Sequence, residues 1–226
     1  MTDLTVIEGN VHVDIGTCRL DDDRDISSSH AWTELNDEER ARAESFVFGC
    51  DRQRFIRGRG FLRRRLGAYL GIGARDVPLA AAIGGKPYVR GREVSFNLSH
   101  SGDLAVIAVT SGCSLGIDLE LADRSGPFEE QLDGLSEMCL NPPEQRCLAD
   151  APPTARARRF LSYWTAKEAR MKVTGEGLML EPRAISLRLK DGRPVGYLRP
   201  REPDVALRWL TLPDADAVCC LAISLH

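Results

Sequence analysis

The feature that most constrains this chain is an internal repeat. From Asn36 to Leu70 the segment NDEERARAESFVFGCDRQRFIRGRGFLRRRLGAYL carries apolar residues at helical intervals behind a capping Asn36 or Asp37, and Gly71 and Gly73 end it. Gly58 and Gly60 inside it mark a bend or a close contact. Strand-like pieces follow: VPLAAAI, a GGKP turn, PYV, VSFNLS, LAVIAVT after an SGD turn, and LGIDLEL after TSGCS, the last three expected as an antiparallel meander. A second helix is expected from about Thr154 to Thr174, capped by Thr154 behind Pro152 and Pro153 and ended by Gly175. AISLRL, a DGRP turn, VGYL, VALRWLTL and AVCCLAIS then repeat the strand pattern. The Gly85-Lys86-Pro87 and Gly192-Arg193-Pro194 turns correspond, and the helix-ending glycines recur about 105 residues apart.

A duplication of this kind predicts an α+β fold of two similar halves, each a long helix with a small antiparallel sheet, packed about a pseudo-twofold axis. The expected halves are residues 1–115 and 116–226, and a cleft between such halves is a favoured ligand site. Residues 121–153 (LADRSGPFEEQLDGLSEMCLNPPEQRCLADAPP, with its flanks) have no visible counterpart in the first half and suit either a linker or a partner-binding flap.

Composition narrows the function. With 43% hydrophobic and 28% charged residues the chain has the mix of a globular protein. No apolar run reaches the roughly 20 residues that span a bilayer, and MTDLTVIEGN lacks the basic and apolar regions of a secretory signal, so the expected setting is cytoplasmic, without a membrane partner. The seven cysteines are odd in number and contain no C-x-x-C pair, which argues against a disulfide framework or a zinc knuckle. A net charge of -3 weighs against nucleic acid, although DRQRFIRGRGFLRRRL holds seven arginines with interleaved aromatics, the composition of a phosphate-binding helix. Only Lys86, Lys167, Lys172 and Lys190 are lysines; in a chain this rich in arginine they mark places where a compact ammonium is needed.

Four motifs carry chemistry. In Gly116-Ile117-Asp118-Leu119-Glu120 the two carboxylates are two apart on a strand and share a face, with Leu119 turned to the core. Such a pair suits a divalent cation with hard oxygen ligands, magnesium before zinc or copper, and equally suits a solvated strand edge. In Trp164-Thr165-Ala166-Lys167-Glu168-Ala169-Arg170-Met171-Lys172, followed by VTGEGL, Glu168 and Lys172 stand one helical turn apart with Trp164 a turn earlier, the spacing of an ordinary surface ion pair as well as of a site. Lys167 is offset from that face. Asn97-Leu98-Ser99-His100-Ser101-Gly102 ends a strand with polar side chains able to meet an anion or simply to satisfy a turn. Lys86 adds a cation in the Gly85-Lys86-Pro87 turn.

In this order the motifs GKP, NLSHS, GIDLE and WTAKEARMKVTGEGL resemble the signature of the 4'-phosphopantetheinyl transferases, in particular the long pseudo-dimeric class that activates peptide and polyketide synthases, over about residues 36 to 187. The resemblance implies Asp118, Glu120 and Glu168 as magnesium ligands, with manganese as an alternative metal. It implies Lys86, Ser99, His100 and Lys172 as contacts to coenzyme A, chiefly its phosphates. Arg42 and Arg54 lie near positions the family uses for the 3'-phosphate and adenine, with Arg40, Arg52, Arg57 and Arg59 as neighbouring alternatives. Glu168 is the expected base for a serine of an apo acyl, peptidyl or aryl carrier protein, with Lys172 orienting it and 3',5'-ADP leaving. The family resemblance also implies a monomer and a role in secondary metabolism. Leu140-Asn141-Pro142-Pro143-Glu144 resembles a degraded Phe-Ser-Pro segment of that family, which bears on carrier docking.

Overall fold

The computed structural model describes residues 2–82, 86–122, 127–175, 180–198, 204–213 and 215–225; Gly85 and the stretch from Glu176 to Leu178 in the sequence motifs lie outside them. The chain divides into two compact units, Met1–Gly112 and Cys113–His226.

The first unit opens with a hairpin, β1 (Thr2–Glu8) and β2 (Val11–Arg19), that the sequence pattern above leaves unassigned. Helices α1 (Ser28–Glu34), α2 (Asp37–Glu44) and α3 (Gly49–Leu70) follow, then a two-stranded hairpin of β3 (Leu79–Ala81) and β4 (Pro87–Val89), then β5 (Ser95–Ser101) and β6 (Leu104–Thr110). The main sheet runs β1-β2-β6-β5, antiparallel throughout. Phe61, Leu62 and Leu66 of α3 share a core cluster with Cys18, Phe96 and Ile107 of this sheet and with Leu20 just after β2.

The single helix expected from Asn36 to Leu70 is in fact two. Asn36 caps α2 as predicted, in a reciprocal capping box with Glu39. The chain then leaves the helical path through Ser45–Phe48, where Phe48 is extended (φ -96°, ψ 131°) ahead of α3, Phe46 meets the Phe55 ring at 5.3 Å, and Val47 and Phe48 are exposed. Gly60 is the close contact rather than a bend, since a Cβ there would lie 2.7 Å from that of Ala31 in α1.

The second unit comprises β7 (Leu115–Leu121), α4 (Pro127–Cys139), α5 (Pro142–Ala149), α6 (Pro153–Thr174), a hairpin of β8 (Ser186–Lys190) and β9 (Arg193–Leu198), then β10 (Val205–Leu210) and β11 (Ala217–Ser224). Its sheet has the order β10-β11-β7. The expected meander of three strands is therefore corrected. β5 and β6 pair, but the other neighbour of β6 is β2, and β7 pairs with β11 about 100 residues later. Helix α6 starts at Pro153 without a side-chain cap, not at a capping Thr154, and ends at Gly175 in the left-handed region, as α3 does at Gly71.

The duplication is thus observed element by element. Each unit holds a 22-residue helix, a following two-stranded hairpin, and three strands in the same order, β2-β6-β5 matching β7-β11-β10. Nor does the segment 121–153 lack a counterpart: Asn141 and Glu144 form a capping box on α5 that matches Asn36 and Glu39 on α2. Asn141 caps the helix where the resemblance suggested a degraded Ser, so that role is kept by a different oxygen.

Candidate functional site

In the second unit β7 lies against α6 at backbone contact. Gly116 makes this possible: a Cβ there would fall 2.7 Å from the Val173 nitrogen and 2.8 Å from the Lys172 Cβ. Alternation along β7 then turns Asp118 and Glu120 to the same helix-facing side as Gly116. Leu119 turns to the core as expected, and Asp118 is buried as well. Leu119 is buried on the opposite face of the sheet, while Asp118, only 4% exposed, enters the side covered by α6, where its strand partner Cys220 belongs to the apolar cluster. A carboxylate placed there needs a counter-charge.

Lys172 supplies one. Its Nζ donates to Asp118 Oδ1 at 2.6 Å, so the lysine reaches across to β7 and not merely along the helix. Glu168, one turn earlier on α6, is half-buried. Burial first, and then the charge of Asp118, push its pKa above the ordinary carboxylate value; Lys172 pulls the other way and Glu120 adds to the rise. Asp118, Glu120, Glu168 and Lys172 therefore share one electrostatic neighbourhood.

Whether these residues suit a metal can be judged from the donors. Glu168, with its pKa raised in part by Asp118 and Glu120, forms with them a hard-oxygen set of the kind magnesium takes, and a divalent cation relieves the crowding. Among the described residues no group of three His, Cys, Asp or Glu side chains is arranged to hold a metal ion, the ammonium of Lys172 being seated on Asp118. The donor chemistry fits, with Lys172 as the counter-ion in this arrangement.

Lys167, left without a role by its offset, is fully buried. Its Nζ meets Glu144 Oε2 at 2.7 Å and donates to the carbonyls of Pro182 and Ile185 at 2.9 and 2.8 Å. Glu144 also accepts from the backbone N–H groups of Asn141 and Leu187. The pair therefore ties α5, α6 and the β8 hairpin together, one residue from Glu168. The first unit carries the same device: Arg63, at the same position along α3, donates to Glu39 at 2.6 Å and to the carbonyls of Ala74, Arg75 and Val77. The sequence signal was present in the repeated Asn-x-x-Glu of residues 36–39 and 141–144.

The other candidates lie in the first unit. Lys86 is half-buried just before β4, and burial lowers its pKa below that of an ordinary lysine. Ser99 and His100 are neighbours on β5, so their side chains leave opposite faces; Ser99 is buried and His100 exposed. The arginines of α2 and α3 are sorted by their partners. Arg54 grips Asp21 through two hydrogen bonds of 2.5 and 2.6 Å, a contact that raises its pKa further. Arg57 is buried on the Leu20 carbonyl and Asp23, which makes it structural. Arg40 donates to the Trp32 carbonyl, and Arg52 lies over the Trp32 ring. Arg42 and Arg59 both lie over the Phe55 ring, at 5.6 and 5.7 Å. Six of the seven arginines from Arg52 to Arg65 make ion pairs inside this unit, with Asp3, Asp21, Asp23, Glu34 and Glu39. A helix whose charge is spent internally is a poor track for a nucleic-acid backbone. Among the described residues no helix is long and apolar enough to cross a membrane.

Comparison with known proteins agrees with this layout. The sequence model of the 4'-phosphopantetheinyl transferase superfamily matches residues 114–222, and that of the 4'-phosphopantetheinyl transferase N-terminal region matches residues 25–112. The chain is 35% identical over 201 residues to the 4'-phosphopantetheinyl transferase HetI of Nostoc sp., covering 84% of this chain and 78% of that protein. It is 30% identical over 184 residues to the 4'-phosphopantetheinyl transferase psf-1 of Bacillus pumilus, covering 80% and 70%. With a 4'-phosphopantetheinyl transferase of Bacillus subtilis it shares 29% identity over 155 residues, or 68% of this chain and 66% of the other.

Proposed function

The chain belongs to the 4'-phosphopantetheinyl transferase superfamily, and from that premise we propose that it takes the 4'-phosphopantetheine arm from coenzyme A and attaches it to a serine hydroxyl of an apo acyl, peptidyl or aryl carrier protein, releasing 3',5'-ADP. The observation that carries this reading is the cluster on β7 and α6: Asp118 held by Lys172, with Glu168 raised in pKa beside it.

Asp118, Glu120 and Glu168 would hold magnesium, which when bound supplies Lewis-acid neutralisation of pyrophosphate charge. The chain's own groups do the rest. Glu168 takes the proton of the carrier serine, and a carboxylate base positioned in this way contributes about 10² to 10⁴ in rate. The serine oxygen attacks the β-phosphorus, and the bond to the leaving phosphate of 3',5'-ADP breaks. Lys172, bonded to Asp118 here, offers its ammonium to the phosphate oxygens as their charge grows. Lys86, Ser99 and His100 are assigned to the phosphates of coenzyme A. Arg42 and Arg54 are assigned to the 3'-phosphate and adenine, Arg54 by exchanging its exposed partner Asp21 for phosphate. The Glu144–Lys167 pair positions Glu168 by fixing α6 against its neighbours. A cytoplasmic monomer acting in secondary metabolism is the setting that suits this activity.

The test is chromatography of a mixture of the protein, coenzyme A, magnesium and an apo-carrier. Formation of 3',5'-ADP that depends on the carrier supports the proposal; its absence with acyl, peptidyl and aryl carriers alike removes it.

A further inference from the structure

The second unit holds a cavity of about 700 Å³ between the start of α6, the β8–β9 turn and the β10–β11 connection, with neither Asp118 nor Glu168 in its lining. That volume lies in the range of small-molecule sites. Arg158, Arg159 and Arg193 line it, and none of its described lining residues is acidic. Trp209 forms one wall; its Nε1–H donates to the Pro194 carbonyl at 2.9 Å, which fixes the indole, and the residue is 40% exposed. Helix α6 begins here with no side-chain cap and no acid in its first turn. Its positive end therefore adds to the three guanidinium groups. Arg159 is braced by the Cys147 carbonyl, and Arg158 is paired with Asp216, an exposed carboxylate that an incoming anion can displace.

The duplication gives these residues a second meaning. Arg158 is the sixth residue of α6, as Arg54 is of α3. Arg193 precedes Pro194 in the hairpin turn as Lys86 precedes Pro87. Gly16 and Gly116 occupy equivalent places, since each meets the residue at the same position of its long helix, Arg65 or Ala169. Following the pairing from them across Ile107 to Leu98, and across Ala222 to Leu207, makes Trp209 the counterpart of His100 in the repeat. The metal-site carboxylates have no such echo, for the place of Glu168 in α3 is taken by Arg64.

We propose that this cavity is a second binding site, for a nucleoside phosphate, with its phosphates on Arg158 and Arg193 and its base stacked on Trp209. The site is separate from the transfer reaction; it rests on the proposed function for the phosphate roles of Lys86 and His100 that the repeat echoes and for the choice of probe, adenosine 3',5'-bisphosphate.

Equilibrium dialysis of the full chain counts bound probe. Wild type is expected to bind two equivalents and an Arg158→Ala/Arg193→Ala variant one, with carrier modification at saturating coenzyme A within about twofold of wild type, since both arginines lie on the surface outside the transfer residues. Trp209→Ala is expected to weaken the second site about tenfold through lost stacking. If the transfer reading is wrong, the counts become one and none, and the difference of one equivalent remains. An equal count in wild type and double variant overturns the proposal. So does inorganic phosphate competing as well as the nucleotide, because the base would then go unread.

Discussion

Lys167→Met tests the buried pair behind the site. Lys167 is 0% and Glu144 1% exposed at the side chain, and they meet at 2.7 Å. Removing the ammonium leaves the Glu144 carboxylate with only two backbone N–H donors and takes a donor from the carbonyls of Pro182 and Ile185. Breaking a buried pair from one side costs about 3–5 kcal/mol. At about 2–4 °C per kcal/mol for a chain of this size, the melting temperature should fall by roughly 6–20 °C. Lys167→Met/Glu144→Gln removes the unpaired charge and should recover at least about half of the loss. Calorimetry of wild type, both single variants and the double variant completes the cycle. A Lys167→Met protein melting within about 2 °C of wild type, or a double variant no more stable than that single one, would refute the reasoning. Arg63→Met in the first unit should also destabilise, but by less than Lys167→Met, because Arg59 stays 3.6 Å from the buried Glu39 carboxylate.

In metal-free buffer Glu168→Gln should stabilise the protein near neutral pH. The folded pKa of Glu168 is raised above its ordinary 4.5, so its stabilising protonation is fully present below that value and lost as pH rises through the folded pKa. The gain in melting temperature over wild type should accordingly be largest at pH 7–8 and vanish below about pH 4.5; a gain that does not depend on pH contradicts the assignment. Asp118→Ala and Lys172→Ala should each lower transfer by at least about 10² while far-ultraviolet circular dichroism stays native, and near-normal transfer by folded Asp118→Ala would remove the metal role. Gly116→Ala should cost about 1–3 kcal/mol by urea denaturation, because its Cβ would press on Val173 and Lys172. The same displacement of β7 from α6 should reduce transfer.

Much of this was legible in the sequence because it rests on local pattern. The left-handed ends of α3 and α6 follow from Gly71 and Gly175, and Asp118 and Glu120 share a face because strands alternate. What the sequence did not yield depends on distant partners. The pairing of β7 with β11 joins residues about 100 apart, and no local feature of LGIDLEL separates it from a third strand beside β6. Burial of Asp118 follows from that pairing and from Gly116 against α6, so a solvated edge and a buried counter-ion site look alike in the string of residues. The hairpin β1–β2 was masked by its acids and histidine, and the break at Ser45–Phe48 by an apolar run that suits a helix. The partners of the arginine-rich helix, Asp3 to Glu39, precede it in sequence and become visible only when the unit folds.

The most direct test of the central claim is the intact mass of an apo-carrier protein after incubation with this protein, coenzyme A and magnesium. The account predicts a gain of one phosphopantetheine arm on the carrier serine, lost with Asp118→Ala. An unchanged mass for acyl, peptidyl and aryl carriers, with wild type folded and coenzyme A in excess, would contradict it.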